Sequence, residues 1–391
     1  MREQTVQASV RPSGRRGGRR RAVPAAAAAA AVAVAVTALG GVAPSDASAA
    51  ARPDGVRQGL NALVHSDGVP AALASVQDRA GRNRSYTAGV GDLATGAGVP
   101  EDGQVRIGSN TKAFTAVVVL QLVGEGRIRL DKPVDFYLPD LLRGNGIDGG
   151  RITVRNLLQH TSGLPNYTKY LDEEIRRYEP RELLDIALRH EPEFDPGDGW
   201  AYSNTNYVVA GLLIEKITGH SIAEEIDRRV IKRIGLRHTY FPAPGDVTIR
   251  EPHPKGYYQD APGAPLRDGT ELDPSWGWAA GQMISTDSDL NRFYSELLAG
   301  HLLDEDELDE MQTTVPAGYP FPEGARYGLG LVSTPLSCGD VYWGHGGSTT
   351  GYETRGGARQ HGRAMNIAVT TQPGQPTKQR MDTILDRELC R

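Results

Sequence analysis

Cysteine is nearly missing from this chain: Cys338 and Cys390 are the only two in 391 residues. Two thiolates cannot build a zinc cage, and the nine histidines contain no H-E-x-x-H pair, so metal-site spacing is absent. A basic recognition stripe is missing as well, which removes nucleic acid from the expected partners. No internal repeat is present. The G-x-S-x-G elbow is also absent, because neither Ser109 nor Ser162 has the required flanking glycines. Past residue 50 no apolar run is more than short, so no stable membrane partner is expected there.

What is present divides at residue 50. Seven arginines (Arg2, Arg11, Arg15, Arg16, Arg19, Arg20, Arg21) precede an Ala/Val run from Ala25 to Val42 and then Ala47-Ser48-Ala49. A basic region, an apolar segment and a small-residue cleavage site describe an export signal over residues 1–50. The run is also long enough to serve as an uncleaved anchor, but the A-x-A site favours cleavage and a secreted or envelope protein. Without the leader, 36 basic and 46 acidic side chains remain, net −10. In an exported protein two lone cysteines suggest one disulfide, Cys338–Cys390, contributing roughly 4 kcal/mol by loop closure.

The chain is arranged around Gly108-Ser109-Asn110-Thr111-Lys112. Nine of the next eleven residues, Ala113–Val123, are apolar, and a helix apolar all round lies inside a protein. Ser109 and Lys112, three apart, share a helix face. Ser109 is expected in the first helical turn, where free N–H groups favour developing negative charge. Lys112, desolvated there, should lose its charge readily. A hydroxyl, an adjacent amine and an anion-friendly helix end suit nucleophilic acyl transfer, although an ordinary N-cap with a nearby lysine has the same spelling.

Around that stretch, Val56–Val64 reads as an amphipathic helix and Ala71–Val76 with Ser85–Val90 as a hairpin. A third short strand, Gln104–Ile107, leads to Ser109. Helices are expected at Val154–Gln159, Pro180–Arg189, Tyr207–Thr218 and Ile222–Ile234. Pro242–Asp273 is rich in proline, a long loop of the kind that lines a site. Next come a helix at Asp287–Ala299, strands near Tyr327–Val332, Asp340–Trp343, Tyr352–Ala358 and Ala364–Thr370, and a closing helix Thr377–Leu389. The order predicts an α+β fold: one antiparallel sheet from residues 51–130 and 277–391, covered by helices, with an all-α insertion over 131–276.

Three places offer partners for Ser109. Tyr202-Ser203-Asn204 supplies a phenol, which a neighbouring ammonium would push toward phenolate, and an amide that can position Lys112 or hold a substrate amide. Gly344-His345-Gly346-Gly347-Ser348 supplies a glycine-rich strand edge, where the Ser348 N–H could join that of Ser109 as an oxyanion hole. His160-Thr161-Ser162 suggests a triad, but His160 follows a helical apolar pattern and reads as structural.

Ser109-x-x-Lys112, Tyr202-x-Asn204 and His345-x-Gly347, in this order, resemble the three motifs of the penicillin-recognising serine hydrolases. The likeness is greatest to the serine D-alanyl-D-alanine carboxypeptidases that share a fold with class C β-lactamases. Leu157-Leu158-x-His160-Thr161-Ser162-Gly163-Leu164, Tyr202–Tyr207, Tyr327-Gly328-Leu329-Gly330-Leu331 and the cysteine pair extend it over the chain after the leader. The resemblance implies a β-lactamase/DD-peptidase-like fold with the site in a cleft. It implies Ser109 as acylated nucleophile, Lys112 and Tyr202 as the acid–base pair, and the Ser109 and Ser348 amides as oxyanion hole. Asn204, His345, Gly347 and Trp276 would contact substrate. The expected enzyme is an exported carboxypeptidase acting on peptidoglycan-type peptides, a monomer without metal or cofactor. An esterase, D-amino-acid amidase or β-lactamase of the same fold is the alternative, and a penicillin-binding sensor without turnover a third.

Two positions depart from the carboxypeptidase pattern. An arginine that holds the substrate's terminal carboxylate is replaced by Val332, and a threonine by Gly346. Each hydrogen bond lost to a charged group costs ~1.5–3 kcal/mol. Arg355 could substitute if its strand faces the cleft.

Overall fold

Ala71–Gln77 (β1) is built of small and mid-sized residues and is buried along its whole length. It lies in the middle of a sheet covered on both faces, where a strand has no solvent side to alternate toward. The computed structural model describes residues 54–171, 176–261 and 263–391; the expected export signal lies outside them. The other strands are Asn83–Asp92 (β2), Ala97–Gly98 (β3), Val315–Pro316 (β4), Arg326–Tyr327 (β5), Val332–Pro335 (β6), Val341–Gly344 (β7), Gly347–Thr349 (β8), Tyr352–Ala358 (β9) and Ala364–Val369 (β10). Their order is β4-β5-β6-β7-β9-β10-β1-β2-β3, with β8 paired to β9 and every neighbour antiparallel. The ladder Ala72↔Val369 and Leu73↔Ala368 joins the two ends of the chain at the sheet centre. This is the expected β-lactamase-like α+β architecture.

Helix Asp287–Leu298 packs on one side of β1, β9 and β10; helix Gly55–His65 contacts β1 and β2, and Gln375–Leu389 contacts β9 and β10. The last two also pack on each other. A Cys338–Cys390 disulfide, with Cα atoms 5.8 Å apart, links the β6–β7 turn to the end of the closing helix.

The helix Thr111–Gly124 is the interior of the molecule. Phe114, Val117, Val118, Val119, Leu120 and Leu122 are all 0% exposed, and each such side chain contributes about 1.5–3 kcal/mol relative to leaving it in water. Phe114 stacks on Phe293 with centroids 3.8 Å apart, which ties this helix to Asp287–Leu298. Asn204–Thr218 and Trp278–Gly281 pack against it from the helical part of the chain.

Several expectations need correction. Tyr327–Val332 is not one strand: β5 and β6 pair with each other through Tyr327↔Val332, and Gly328–Leu331 is the turn between them. Gly330 has φ +79°, a conformation only glycine adopts freely. Ile222–Ile234 is interrupted by a π-helical turn at Asp227–Ile231. Val105–Arg106 pairs with Ile284–Ser285 and lies outside the large sheet. The Pro242–Asp273 loop does not line the Ser109 cleft. It wraps Arg106 instead, whose guanidinium donates to Val247 O at 2.6 Å and Thr270 O at 2.9 Å. The acidic helix Glu305–Gln312 was not anticipated; it buries only Leu308 and Met311, too few to mark a periodicity.

Candidate active site

Ser109 sits in a 3-10 turn, Gly108–Asn110, that leads into Thr111–Gly124, one turn earlier than expected. The cause is Gly108, whose φ of +48° starts a tight entry to the helix. Asn110 fastens that entry: it donates to Ile107 O at 2.9 Å and Thr354 Oγ1 at 2.8 Å, and it accepts from Tyr294 Oη at 2.7 Å. Two glycines let the turn press against β8. A Cβ on Gly347 would lie 2.0 Å from Ile107 O and 2.9 Å from Ser109 N, and one on Gly108 would lie 2.9 Å from Ser348 N. The backbone amides of Ser109 and Ser348 therefore lie side by side.

Lys112 is fully buried beneath Ser109. Its Nζ is 3.0 Å from Ser109 Oγ, 2.7 Å from Asn204 Oδ1 and 2.8 Å from Ala280 O. No carboxylate is among these partners, and burial holds the amine well below the usual lysine range. The rings of Tyr202 and Tyr207 flank it, with centroids 4.9 Å and 5.5 Å from Nζ. An unprotonated amine in this position can take the Ser109 proton.

Tyr202 and Asn204 come from the loop that caps Asn204–Thr218. The Tyr202 phenol hydrogen-bonds with Ser109, yet burial outweighs that contact and pushes its pKa up. The expected drift toward phenolate does not occur, because burial disfavours the charged phenolate. Tyr202 is thus a proton donor at neutral pH. His160 is structural: its Nδ1 accepts from Ser203 N at 3.2 Å and lies 3.0 Å from Asn206 Nδ2. Its ring packs 4.4 Å from the Tyr202 ring. Sequence reading missed Asn166, whose Oδ1 accepts from Asn204 N and Nδ2 at 3.1 and 3.3 Å and so turns Asn204 Oδ1 toward Lys112. Nothing in its local sequence marks it; only the fold brings the two asparagines together.

Ser109, Tyr202, Asn204, Trp276, His345, Gly347 and Ser348 all line one cavity of about 360 Å³. His345 is locked in it. Its Nδ1 donates to Gly346 O at 2.5 Å, since a carbonyl only accepts, which leaves Nε2 to accept from Tyr327 Oη at 3.0 Å. Burial, aided by the charge Lys112 would carry, pushes its pKa down to about 3, so the imidazole is neutral. Val332 lines the cavity as a buried apolar wall. Arg355 does face the cleft, but its Nη2 is 3.3 Å from Glu353 Oε1 and its Nη1 3.2 Å from Asp382 Oδ1.

A serine hydroxyl against a buried neutral amine, set between a helical region and an antiparallel sheet, defines a class: the serine hydrolases of the β-lactamase and penicillin-binding superfamily. The chain belongs to the beta-lactamase family, whose model matches residues 25–390. Among solved structures it is similar to a D-stereospecific amidohydrolase from Streptomyces sp., 39% identical with a TM-score of 0.78, covering 86% of this chain and 98% of that one. It is also similar to D-amino acid amidase from Ochrobactrum anthropi SV3, solved with L-phenylalanine amide: 27% identical, TM-score 0.75, covering 85% and 96%. Esterase EstB of Burkholderia gladioli is 31% identical over 198 residues, 47% of this chain and 49% of that protein. Protein flp of Staphylococcus aureus (strain MW2) is 32% identical over 139 residues, and the chain spans only 28% of the length of that protein and 49% of EstB. Among the described residues, no helix is long and apolar enough to cross a membrane.

Proposed function

We propose that this protein is an acyl-transferring hydrolase that cleaves small amides or esters of D-amino acids through an acyl-enzyme on Ser109. The observation that carries the reading is Lys112, buried without a counter-charge, with Nζ 3.0 Å from Ser109 Oγ. In the first step Ser109 Oγ attacks the substrate carbonyl and its proton passes to the Lys112 amine. The developing oxyanion faces the Ser109 and Ser348 N–H groups, whose preorganised dipoles need no rearrangement. The carbonyl–leaving-group bond then breaks; the Tyr202 phenol protonates the departing atom and recovers a proton from the Lys112 ammonium. Water hydrolyses the ester by the same route in reverse. Asn204 and Trp276 hold the acyl portion, and His345 and Gly347 shape the floor.

The substrate class is supported by Val332 and by the paired state of Arg355, which leave a terminal carboxylate without the free cation a D-alanyl-D-alanine carboxypeptidase would use. The names of the amidohydrolase, the amidase and the esterase point the same way. The reading treats residues 131–276 as a helical lobe facing a sheet lobe, the working form as a monomer, and the arginine-rich leader as an export signal.

The test is to incubate residues 51–391 with D- and L-phenylalanine amide, a p-nitrophenyl ester and a D-Ala-D-Ala peptide. Ammonia release from the D-amide, with an acyl mass increment on the Ser109 peptide, is the expected outcome. D-Alanine release faster than amide cleavage would replace this reading with the carboxypeptidase.

A further inference from the structure

The cavity that Ser109 and Tyr202 line also holds a group of charged side chains that the acyl chemistry leaves unused. Glu353 and Arg355, two apart on β9, share one face of the strand. Lys378 and Asp382, four apart on Gln375–Leu389, meet them from the helix. Glu353 is only 3% exposed, and its Oε1 takes both Lys378 Nζ at 3.2 Å and Arg355 Nη2 at 3.3 Å. Its second oxygen, Oε2, is buried and has no hydrogen-bond partner among the described residues. Glu353, Arg355 and Lys378 line the same cavity as Ser109. Gly346 lines it too, beside them: a Cβ there would stand 3.1 Å from Thr354 O and 3.8 Å from Arg355 Cγ.

This end of the cleft faces the leaving group, an assignment that rests on the function proposed above. Tyr202 protonates the departing atom, so that atom lies on the side of Ser109 where Tyr202 and His345 stand. Gly344 and Val332, paired across β6 and β7, line the same cavity. A carboxylate entering there would meet Glu353 in a largely dry pocket, and both nearby cations are already engaged. Like charges brought together away from water are strongly disfavoured, which makes such a group an effective filter.

We propose that Glu353 is a specificity-determining residue: by holding Arg355 and Lys378 in ion pairs and keeping Oε2 as an acceptor, it selects uncharged, hydrogen-bond-donating leaving groups over those ending in a carboxylate. The test compares D-phenylalanyl-D-alanine with its C-terminal amide, two substrates that differ at that end in charge. Wild type should cleave the amide form with a kcat/KM about tenfold or more above the acid form. Glu353→Gln frees Lys378 and leaves Arg355 with Asp382 alone, and should bring the ratio to near one or below it. Lys378→Met removes a partly exposed cation and should widen the ratio, so the two variants move it in opposite directions. If Glu353→Gln does not fold, Lys378→Met alone decides the matter. A ratio that stays put, or moves the same way in both, overturns the proposal while leaving Ser109 chemistry intact. Absence of both turnover and an ester-derived acyl adduct in wild type overturns the function and this proposal together.

Discussion

Two basic side chains serve the same cleft under opposite rules: Lys112 lies buried beneath Ser109, and Arg355 lines the wall. Lys112 is 0% exposed and hydrogen-bonds only to a hydroxyl, an amide oxygen and a carbonyl. The Arg355 side chain is 15% exposed and has two carboxylates. The difference follows from what each group can give up. A lysine buried without a counter-charge sheds its proton and becomes a base. Arginine keeps its proton at any ordinary pH, so in a low-dielectric pocket it must be held by acceptors, and here two carboxylates neutralise Arg355. The same cleft thus holds one amine prepared for proton transfer and one guanidinium committed to structure. The neutral His345 and Tyr202 extend the first pattern, whereas Glu353, Lys378 and Asp382 complete the second.

The comparison can be broken in several ways. The largest effect should come from Ser109→Ala, with a loss of about 10⁴-fold or more in kcat for any ester or amide; residual turnover within tenfold of wild type would move the nucleophile elsewhere. Next, Lys112→Arg replaces the neutral amine base with a permanent cation, and should cost about 10³-fold. Wild-type kcat/KM should fall as pH drops through the lowered Lys112 pKa, because protonation consumes the base, and the arginine variant should lack that limb. Equal activity of the two would make Lys112 a mere charge.

Arg355→Met should act on stability instead. It takes the guanidinium from Asp382 and leaves Glu353 with Lys378 alone, and should cost about 3 kcal/mol in urea unfolding. A loss below about 1 kcal/mol would mean that solvent screens the group.

The smallest effect has the opposite sign. Lys112→Met should stabilise the protein by about 1 kcal/mol, as replacements of strained active-site groups often do. Here the unfolded lysine binds a proton that the folded one does not, so wild-type stability rises with pH from the lowered folded value toward 10.5. The advantage of the methionine variant should therefore be greatest on the acid side and shrink as pH rises, which thermal melts across a pH series would reveal.

Much of this was legible in the chain. The apolar run after Lys112 marked the buried helix, because no polar face remained to meet water. Short apolar clusters bounded by turn residues located β1, β9 and β10, and helical patterns bounded by Gly, Pro or Asn located Val154–Gln159 and Asp287–Leu298, to within a few residues. Ser109, Tyr202, Asn204, His345 and Ser348 were each visible as short motifs, and the structure brings them to one cavity. The break at Gly328–Leu331 was not legible, since alternating Gly and Leu spell a strand and a tight turn equally well. Asn166, Ala280 and Glu353 were invisible for another reason: an asparagine, a backbone carbonyl and a strand glutamate carry no local signal of what they will touch.

By itself, then, the sequence determined which chemistry was possible, because a serine three residues before a lysine at the mouth of an all-apolar helix is set by adjacent positions and a single helical turn. Only the tertiary structure decided the protonation states and the charge at the far end of the cleft. Those depend on burial and on partners about 90 to 170 residues away, such as Asn204 and Ala280 for Lys112, and on the meeting of β9 with the closing helix for Arg355. Desolvation and counter-charge are properties of a place in space, and no stretch of chain carries them alone.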